Sequence, residues 1–372
     1  MLYAAAVVAF ILSILPFHHR GTGFTTLIDF GDQFYMRSLP AVRNVPHAVH
    51  LANSGYDGQF YAQLAVEPLL RNRALDVALD TPPYRARRIL FAWTAWLAGL
   101  GRPNWVLNAF ATQNIVAWLV LAGVLLHWFP PSRPRNVVPW LGCLFGCGML
   151  ASVRESLLEG PSLLVVTLAI LAHERRRPWL ATGLMAAAGL GRETNMVGSG
   201  LLFDRFPRTL REVMVAAGQL ALVALPFLLW SLYVRSIYPS FLYSNPASFA
   251  GPAGYLTKWT TTLRQLERDG WHSFAGDNLL VLTGLTVQAV YIATRWEWKS
   301  AWWRMSVPYC GLLVITSYAV WTGHPGAAPR LLLPLAFAFN VSIAKLPGRW
   351  FWPLAVAGNL SVPVGISVLL SP

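Results

Sequence analysis

Charge is what this sequence has least of. Charged residues make up 12% of the 372-residue chain, against about 25% in a typical soluble domain. Hydrophobic residues make up 55%, and the mean hydropathy is +0.46. A soluble chain of this size cannot bury so much apolar surface, so a soluble fold is excluded and many membrane spans are expected. Acid is scarcer than base: 16 Asp+Glu stand against 29 Lys+Arg, a formal charge of +13. No soluble basic domain accompanies that charge, which excludes nucleic acid as a partner. Cysteine is limited to Cys143, Cys147 and Cys310, all in apolar runs. That number implies no disulfide framework. Cys143 and Cys147 share a helix face, but a zinc site needs more ligands nearby, and all three read as small buried apolar residues. Missing too are a P-loop, a dinucleotide fingerprint, HExxH and GxSxG, so no nucleotide cofactor or redox centre is implied.

What is present is aromatic and apolar. The 17 Trp residues and 13% aromatic content suit membrane interfaces. Apolar runs recur at about 2–17, 88–101, 105–129, 137–153, 156–173, 178–191, 195–203, 212–237, 277–294, 302–322, 330–345 and 350–370. Leu2 to Phe17 lacks the charged n-region and cleavage site of a signal peptide and is expected to be the first span. Several runs are shorter than the roughly 20 residues a straight span needs. Those near 88–101 and 178–203 are broken by glycine or charge, which at membrane depth is tolerated only against protein or a watery cavity.

Short basic loops join successive runs: SRPR (132–135), ERRR (174–177), DRFPR with Arg211, RWEWK with Arg304, and Lys345 with Arg349. Placing all of them in the cytoplasm satisfies the positive-inside rule. The N-terminus is then cytoplasmic, 178–191 and 195–203 pair through a turn at GRETN, and 88–101 either re-enters or is too short to cross. The opposite face receives a long first loop (18–87), RESLLEG (154–160), GRETN (191–195), a second loop (238–276) and GHPGAAPR (323–330). The expected architecture is one all-α polytopic membrane domain over 1–372. It has about 10–12 transmembrane or re-entrant helices, and its extended first outer loop bears short interfacial helices.

The motifs on that face are acidic, aromatic and arginine-rich. GDQFY (31–35) is echoed by GYDGQFY (55–61), where Gly55 and Gly58 bracket Asp57. Asp57 is a candidate general base or cation ligand. An Asp just before a helix is as often a cap, and neighbouring Gln59 and Tyr61, well suited to sugar hydroxyls, favour function. LDTPPYRARRIL (79–90) sets Tyr84, Arg85, Arg87 and Arg88 at the edge of an apolar run, where arginine grips a lipid phosphate or ordinary anionic headgroups. Glu155 and Glu159 are one turn apart and either meet substrate or staple helices through Arg154. Arg192 and Glu193 end a small-residue helix that packs closely, and are either functional or a structural pair. Arg330 heads the helix LLLPLAFAFN and could hold a phosphate or carboxylate; His324 is a weaker candidate.

In order and sidedness these motifs resemble the GT-C superfamily of integral-membrane glycosyltransferases, the mannosyltransferase-like bacterial members included. GYDGQFYAQLA, PPYRARRIL, the ES/EG helix start, ERRR followed by GRETN, and Arg330 before LLLP carry the likeness. The resemblance implies inverting transfer of a sugar from a polyprenyl-phosphate carrier to an acceptor on the periplasmic face of a bacterial inner membrane. Asp57 would then be the catalytic base. Gln59, Tyr61, Tyr84, Arg85, Arg88, Glu159, Arg192, Glu193 and Arg330 would be substrate contacts. Many such enzymes carry two acids close together, but Gln59 stands two residues after Asp57. No metal ligand is therefore assigned, and magnesium or manganese stays an open cofactor, with Asp32 as the acid that could complete a pair. The alternatives are a transporter or flippase of a lipid-linked or anionic substrate, whose midplane charges and repeats are not evident here, and a non-catalytic envelope scaffold.

Overall fold

The computed structural model describes residues 1–239, 251–323 and 326–371. It is 73% helix, and no strand forms among the described residues. Helix α1 (Leu2–Ile14) leads into the first loop. There the chain forms α2 (Asp32–Tyr35), α3 (Pro40–Arg43), α4 (Asp57–Val66), α5 (Leu75–Ala78) and α6 (Pro82–Ala86). Beyond the loop lie α7 (Leu90–Ala98), α8 (Pro103–Val124), α9 (Val137–Phe145), α10 (Cys147–Arg154), α11 (Glu159–Glu174) and α12 (Pro178–Gly191). A 3-10 segment (Glu193–Leu202) precedes α13 (Leu210–Ile237) and α14 (Ala253–Asp269). Then come α15 (Phe274–Thr294), α16 (Ala301–Ile315), α17 (Tyr318–Trp321), α18 (Ala328–Leu331), α19 (Leu333–Ile343), α20 (Gly348–Gly358) and α21 (Ser361–Leu370).

Three helices are long and apolar enough to cross a membrane: α8 with its 3-10 extension to His127, α13 and α15. Two bent pairs, Pro134–Phe145 with α10 (46°) and α20 with α21 (41°), raise the number to five. The first bend is at Gly146, whose extended backbone interrupts the helix. Fewer helices than the expected 10–12 therefore meet the length of a full span, because most other apolar runs fold as helices of 9 to 16 residues. The run at 88–101 folds as a helix too short to cross by itself. Nine residues of α7 rise about 14 Å, under half of a hydrocarbon core of about 30 Å. The helix instead packs antiparallel on the first half of α8, with Gly99 against Val106 and the Thr94 hydroxyl donating to Gln113 at 3.2 Å.

Helix α13 explains why the chain is so apolar. Only 11% of its most apolar stretch is buried, and Leu222, Leu225, Leu228, Leu229 and Leu232 project outward. A contiguous apolar face of that size marks contact with an apolar phase. The first loop, by contrast, is not loose. Ile28, Phe30, Leu64, Leu75, Ile89 and Phe110 form a second apolar core that fixes it on α7 and α8.

The bundle has two chemically distinct ends. The sixteen residues of α11 separate Glu159 from Glu174 by about 22 Å. The Glu174 end gathers the basic loops. Trp128 donates to Glu174, Arg304 donates to Asp204 at 3.2 Å, and Arg135 approaches the Ala344 carbonyl. The Glu159 end gathers the acidic and arginine motifs.

Candidate functional site

The echo between GDQFY and GYDGQFY has a structural answer. The two segments abut backbone to backbone, so closely that a Cβ on Gly31 would lie 2.1 Å from the Gly55 nitrogen. Gly55 itself takes φ 74°, which glycine adopts without cost. Asp32 accepts from the backbone N–H of Ala52 at 2.9 Å and of Asn53 at 3.1 Å, stapling one segment to the other. Gln59 does the same from α4: its carbonyl accepts from Gly31 and its amide donates to the Ser54 carbonyl at 2.9 Å. Both Asp32 and Gln59 thus serve the loop scaffold.

That scaffold presents Asp57 as the first residue of α4. No side-chain cap bond forms at this helix start, so Asp57 is not a cap. Its carboxylate instead receives Arg85 Nη2 at 2.6 Å. Arg85, on α6, also grips Asp80 with Nε at 2.9 Å and Nη2 at 2.7 Å, and lies over the rings of Phe60 and Tyr61. Arg88, just before α7, donates to the hydroxyls of Tyr61 and Tyr84, both at 3.0 Å. Two more of its donors, Nε at 2.8 Å and Nη2 at 2.7 Å, hold Glu193 in the fork geometry that arginine favours. Arg87 donates to the same carboxylate at 2.7 Å. The segment is held in place from below by Trp230 of α13, which donates to the Ala86 carbonyl at 2.8 Å.

From the other side come the turns RESLLEG and GRETN. Arg192 pairs with Glu159. Arg330 reaches Glu159 at 3.6 Å, Asp57 at 4.0 Å and the Tyr56 hydroxyl at 3.0 Å. Its approach depends on Gly148 of α10, where a Cβ would lie 2.3 Å from the Pro329 carbonyl. The turn between α10 and α11 is stapled by Asn114 of α8, which donates to the Leu157 carbonyl at 2.8 Å, and by Ser152, which accepts from Gly160 N–H. Ser156 there adopts φ 44°, a left-handed conformation uncommon outside glycine. Strain of this kind clusters at functional sites.

The electrostatics follow from burial against pairing. Burial works against the charge of Asp57, but Arg85, backed by Arg330 and Arg88, outweighs it and holds the carboxyl below the usual carboxylate range. Glu193 behaves alike: burial opposes its charge, and Arg88, Arg87 and Arg192 more than compensate. Glu155 goes the other way. Burial pushes it up to about 7, and Arg154 at 3.8 Å, with Arg330 farther off, offsets this only in part.

Nine of the ten residues expected at a site therefore meet in one connected cluster: Asp57, Tyr61, Tyr84, Arg85, Arg88, Glu159, Arg192, Glu193 and Arg330. Gln59 stands apart. Arg87 and Glu155, weighed from the sequence as phosphate and substrate contacts, lie with the cluster, and two neighbours were not foreseen: Tyr56 and Asp80. Asp80 was signalled by its place before Thr-Pro-Pro, and Glu155 by its turn spacing to Glu159. Among the described residues, no three His, Cys, Asp or Glu side chains stand together as a metal-binding group. His324 lies outside the described residues. Beside the cluster a groove of about 400 Å³ runs between α7, α8 and α11, lined by Phe91, Ala95, Ala109, Pro161 and Val165. None of the cluster residues lines it, but its lining neighbours them: Phe91 follows Arg88 by three residues, Pro161 follows Glu159 by two, and Phe91 packs against Gly191, next to Arg192.

In comparisons with known proteins, no family model, no curated protein and no solved structure matches the chain.

Proposed function

We propose that the chain is a membrane glycosyltransferase that moves a sugar from a polyprenyl-phosphate carrier to an acceptor on the periplasmic face of a bacterial inner membrane. In this reading the basic end of the bundle is cytoplasmic, as the positive-inside rule asks. The helices of 13 to 16 residues join the full-length ones in a GT-C-like bundle of about 10–12 spanning or re-entrant elements.

The observation that carries the reading is the meeting of Arg85, Arg88, Arg192 and Arg330 with Asp57, Glu155, Glu159 and Glu193 at one end of the bundle. Sugar transfer needs positive charge on the departing phosphate and a carboxylate to take the acceptor proton. Guanidinium groups held in low dielectric stabilise that phosphate far better than they would in water. The apolar groove beginning at Phe91 accommodates an isoprenoid chain while its headgroup meets the arginines. Asp57 orients Arg85 and the acceptor. The gathering of these charges at one end of the bundle weighs against a transporter.

The test is incubation of the purified protein, in lipid nanodiscs, with a panel of polyprenyl-phosphate sugars and glycan acceptors. A new glycosidic bond is expected, and Asp57→Asn is expected to lower its rate at least about 10-fold. Movement of the lipid-linked sugar across vesicle membranes with no bond formed would replace this reading with transport.

A further inference from the structure

We propose that Glu155 is the proton acceptor of the reaction: its carboxylate lies in the turn between α10 and α11, one oxygen has no hydrogen-bond partner, and it faces the same cluster as Asp57. The inference rests on the sugar-transfer reading and deepens it.

Position comes first. The start of α4 is pressed onto Glu155: a Cβ on Gly58 would lie 2.4 Å from the Glu155 carbonyl oxygen and 2.7 Å from that of Ile28. Gly58 thus lets Asp57 and Glu155 occupy adjacent ground. The left-handed backbone at Ser156 turns the chain sharply just beyond Glu155. Glu155 Oε2 is buried without a hydrogen-bond partner among the described residues, in contrast to the bonded carboxylates of Asp57 and Glu193. A buried polar atom left unpaired is costly, and an acceptor hydroxyl would supply its missing donor.

Asp57 and Glu155 differ in what surrounds them. Asp57 meets Arg85 at 2.6 Å and Arg330 at 4.0 Å. A carboxylate so paired keeps its charge and takes up a proton poorly at neutral pH. The groups around Glu155 are Arg154 at the end of α10, Asp29 from the first loop, Tyr56 and Asp57 at the start of α4, and Arg330 on α18. Burial raises its proton affinity first, Asp29 and Asp57 add to the effect, and Arg154 and Arg330 oppose it. The resulting value of about 7 suits a base working near neutrality.

The step balances. The acceptor oxygen forms a bond to the anomeric carbon as the bond from that carbon to the carrier phosphate oxygen breaks. The bonding electrons leave with the lipid phosphate, which Arg85, Arg88 and Arg330 stabilise. The acceptor hydroxyl proton passes to Glu155 Oε2.

Wild type, Glu155→Gln, Glu155→Asp and Asp57→Asn are compared for kcat and donor KM from pH 5.5 to 8.5, after elution as a single species in detergent confirms folding. Wild-type kcat is expected to rise with pH through an inflection near 7. Glu155→Gln is expected to lose about 10²–10⁴-fold in kcat and the inflection, with donor KM nearly unchanged. Glu155→Asp should keep a weakened pH dependence, and Asp57→Asn should be slower yet retain the inflection. An unaltered pH profile in Glu155→Gln, or loss of the inflection in Asp57→Asn, overturns the assignment while leaving sugar transfer standing. A wild-type protein that transfers no sugar at any pH overturns the reading beneath it.

Discussion

Both ends of the helix bundle set arginine against carboxylate, but in opposite surroundings and with different partners. At the end carrying the basic loops, Arg176 and Asp204 form a pair whose side chains are 86% and 55% exposed. A deeply buried cation there, Arg304, gives its donors mainly to backbone carbonyls: Trp298 at 2.5 Å, Leu201 at 3.0 Å and Gly200 at 3.2 Å. Those carbonyls end helical or turn segments and need donors, so Arg304 is a staple. At the other end Arg85, Arg88 and Arg330 are 5–9% exposed, and they bind side chains. Carboxylates and hydroxyls can exchange partners when a ligand arrives; backbone carbonyls inside a fold cannot. The larger hollow, about 560 Å³ beside Arg205 and Arg211, belongs to the loop end, and its lining cations are exposed. Partner type, and not cavity size, separates a site from a staple here.

The sharpest way to break this contrast is Arg330→Gln. Arg330 is the cation that ties Asp57, Glu159 and Tyr56 together. Removing it leaves Asp57 with Arg85 and Glu159 with Arg192 as their remaining close cations, a loss of about 1–3 kcal/mol. In the proposed reaction it would also remove charge from the departing phosphate, worth about 10²–10³ in kcat. A thermal melt reads the first loss and turnover the second. Retention of both would mean that the cluster is a scaffold like the one around Arg304.

How far this contrast could be read from residues alone differs between its parts. The clustering was legible, because each motif paired a charge with a helix break: Pro82 and Pro83 before Arg85, Gly191 before Arg192, Pro329 before Arg330. Breaks put charges at helix ends, and helix ends on one face meet. Span number was less legible. Hydropathy marks apolar runs but does not say how much of each is helical: α7 has nine residues, and it packs back on α8 through Gly99 and Val106. Roles inside the cluster were least legible. Gln59 and Asp57 are two residues apart on α4, yet one faces loop backbone and the other Arg85. Nothing in spacing alone told that the Glu155 oxygen would be left unpaired.

A smaller effect sharpens the contrast within the site end, between carboxylates stabilised by their surroundings and the one that is not. Glu155 titrates at about 7 when folded, above an ordinary glutamate value of about 4.3. The folded state therefore binds this proton more tightly than the unfolded chain. Stability falls as pH rises from about 4.3 to about 7, and stays reduced above that. Glu155→Gln lacks the loss. Its melting temperature should match wild type near pH 4 and exceed it at pH 8, by the equivalent of about 1–3 kcal/mol. Glu193, held below the usual range by Arg88 and Arg87 after burial is overcome, has the opposite sign. Its contribution is present above about pH 4.3 and is lost as pH falls through its folded value. Glu193→Gln should therefore melt below wild type at pH 8. A mutant of Glu155 no more stable than wild type at pH 8 would place it among the paired carboxylates.

The smallest effect belongs to the loop end and bounds the comparison from below. Arg205 meets Glu212 at 2.5 Å, closer than Arg88 meets Glu193, yet its side chain is 69% exposed. Glu212 also completes a capping box with Thr209 at the start of α13, accepting from Thr209 N–H while its own N–H donates to Thr209 Oγ1. Those bonds survive removal of the arginine. Exposed pairs are worth about 0–1 kcal/mol because solvent and salt screen them. Arg205→Ala should thus barely shift the melt, less still at 0.5 M salt, and leave turnover unchanged. If that variant instead lost stability on the scale of Arg330→Gln, distance would matter more than surroundings, and the distinction between the two ends would rest on partner type alone.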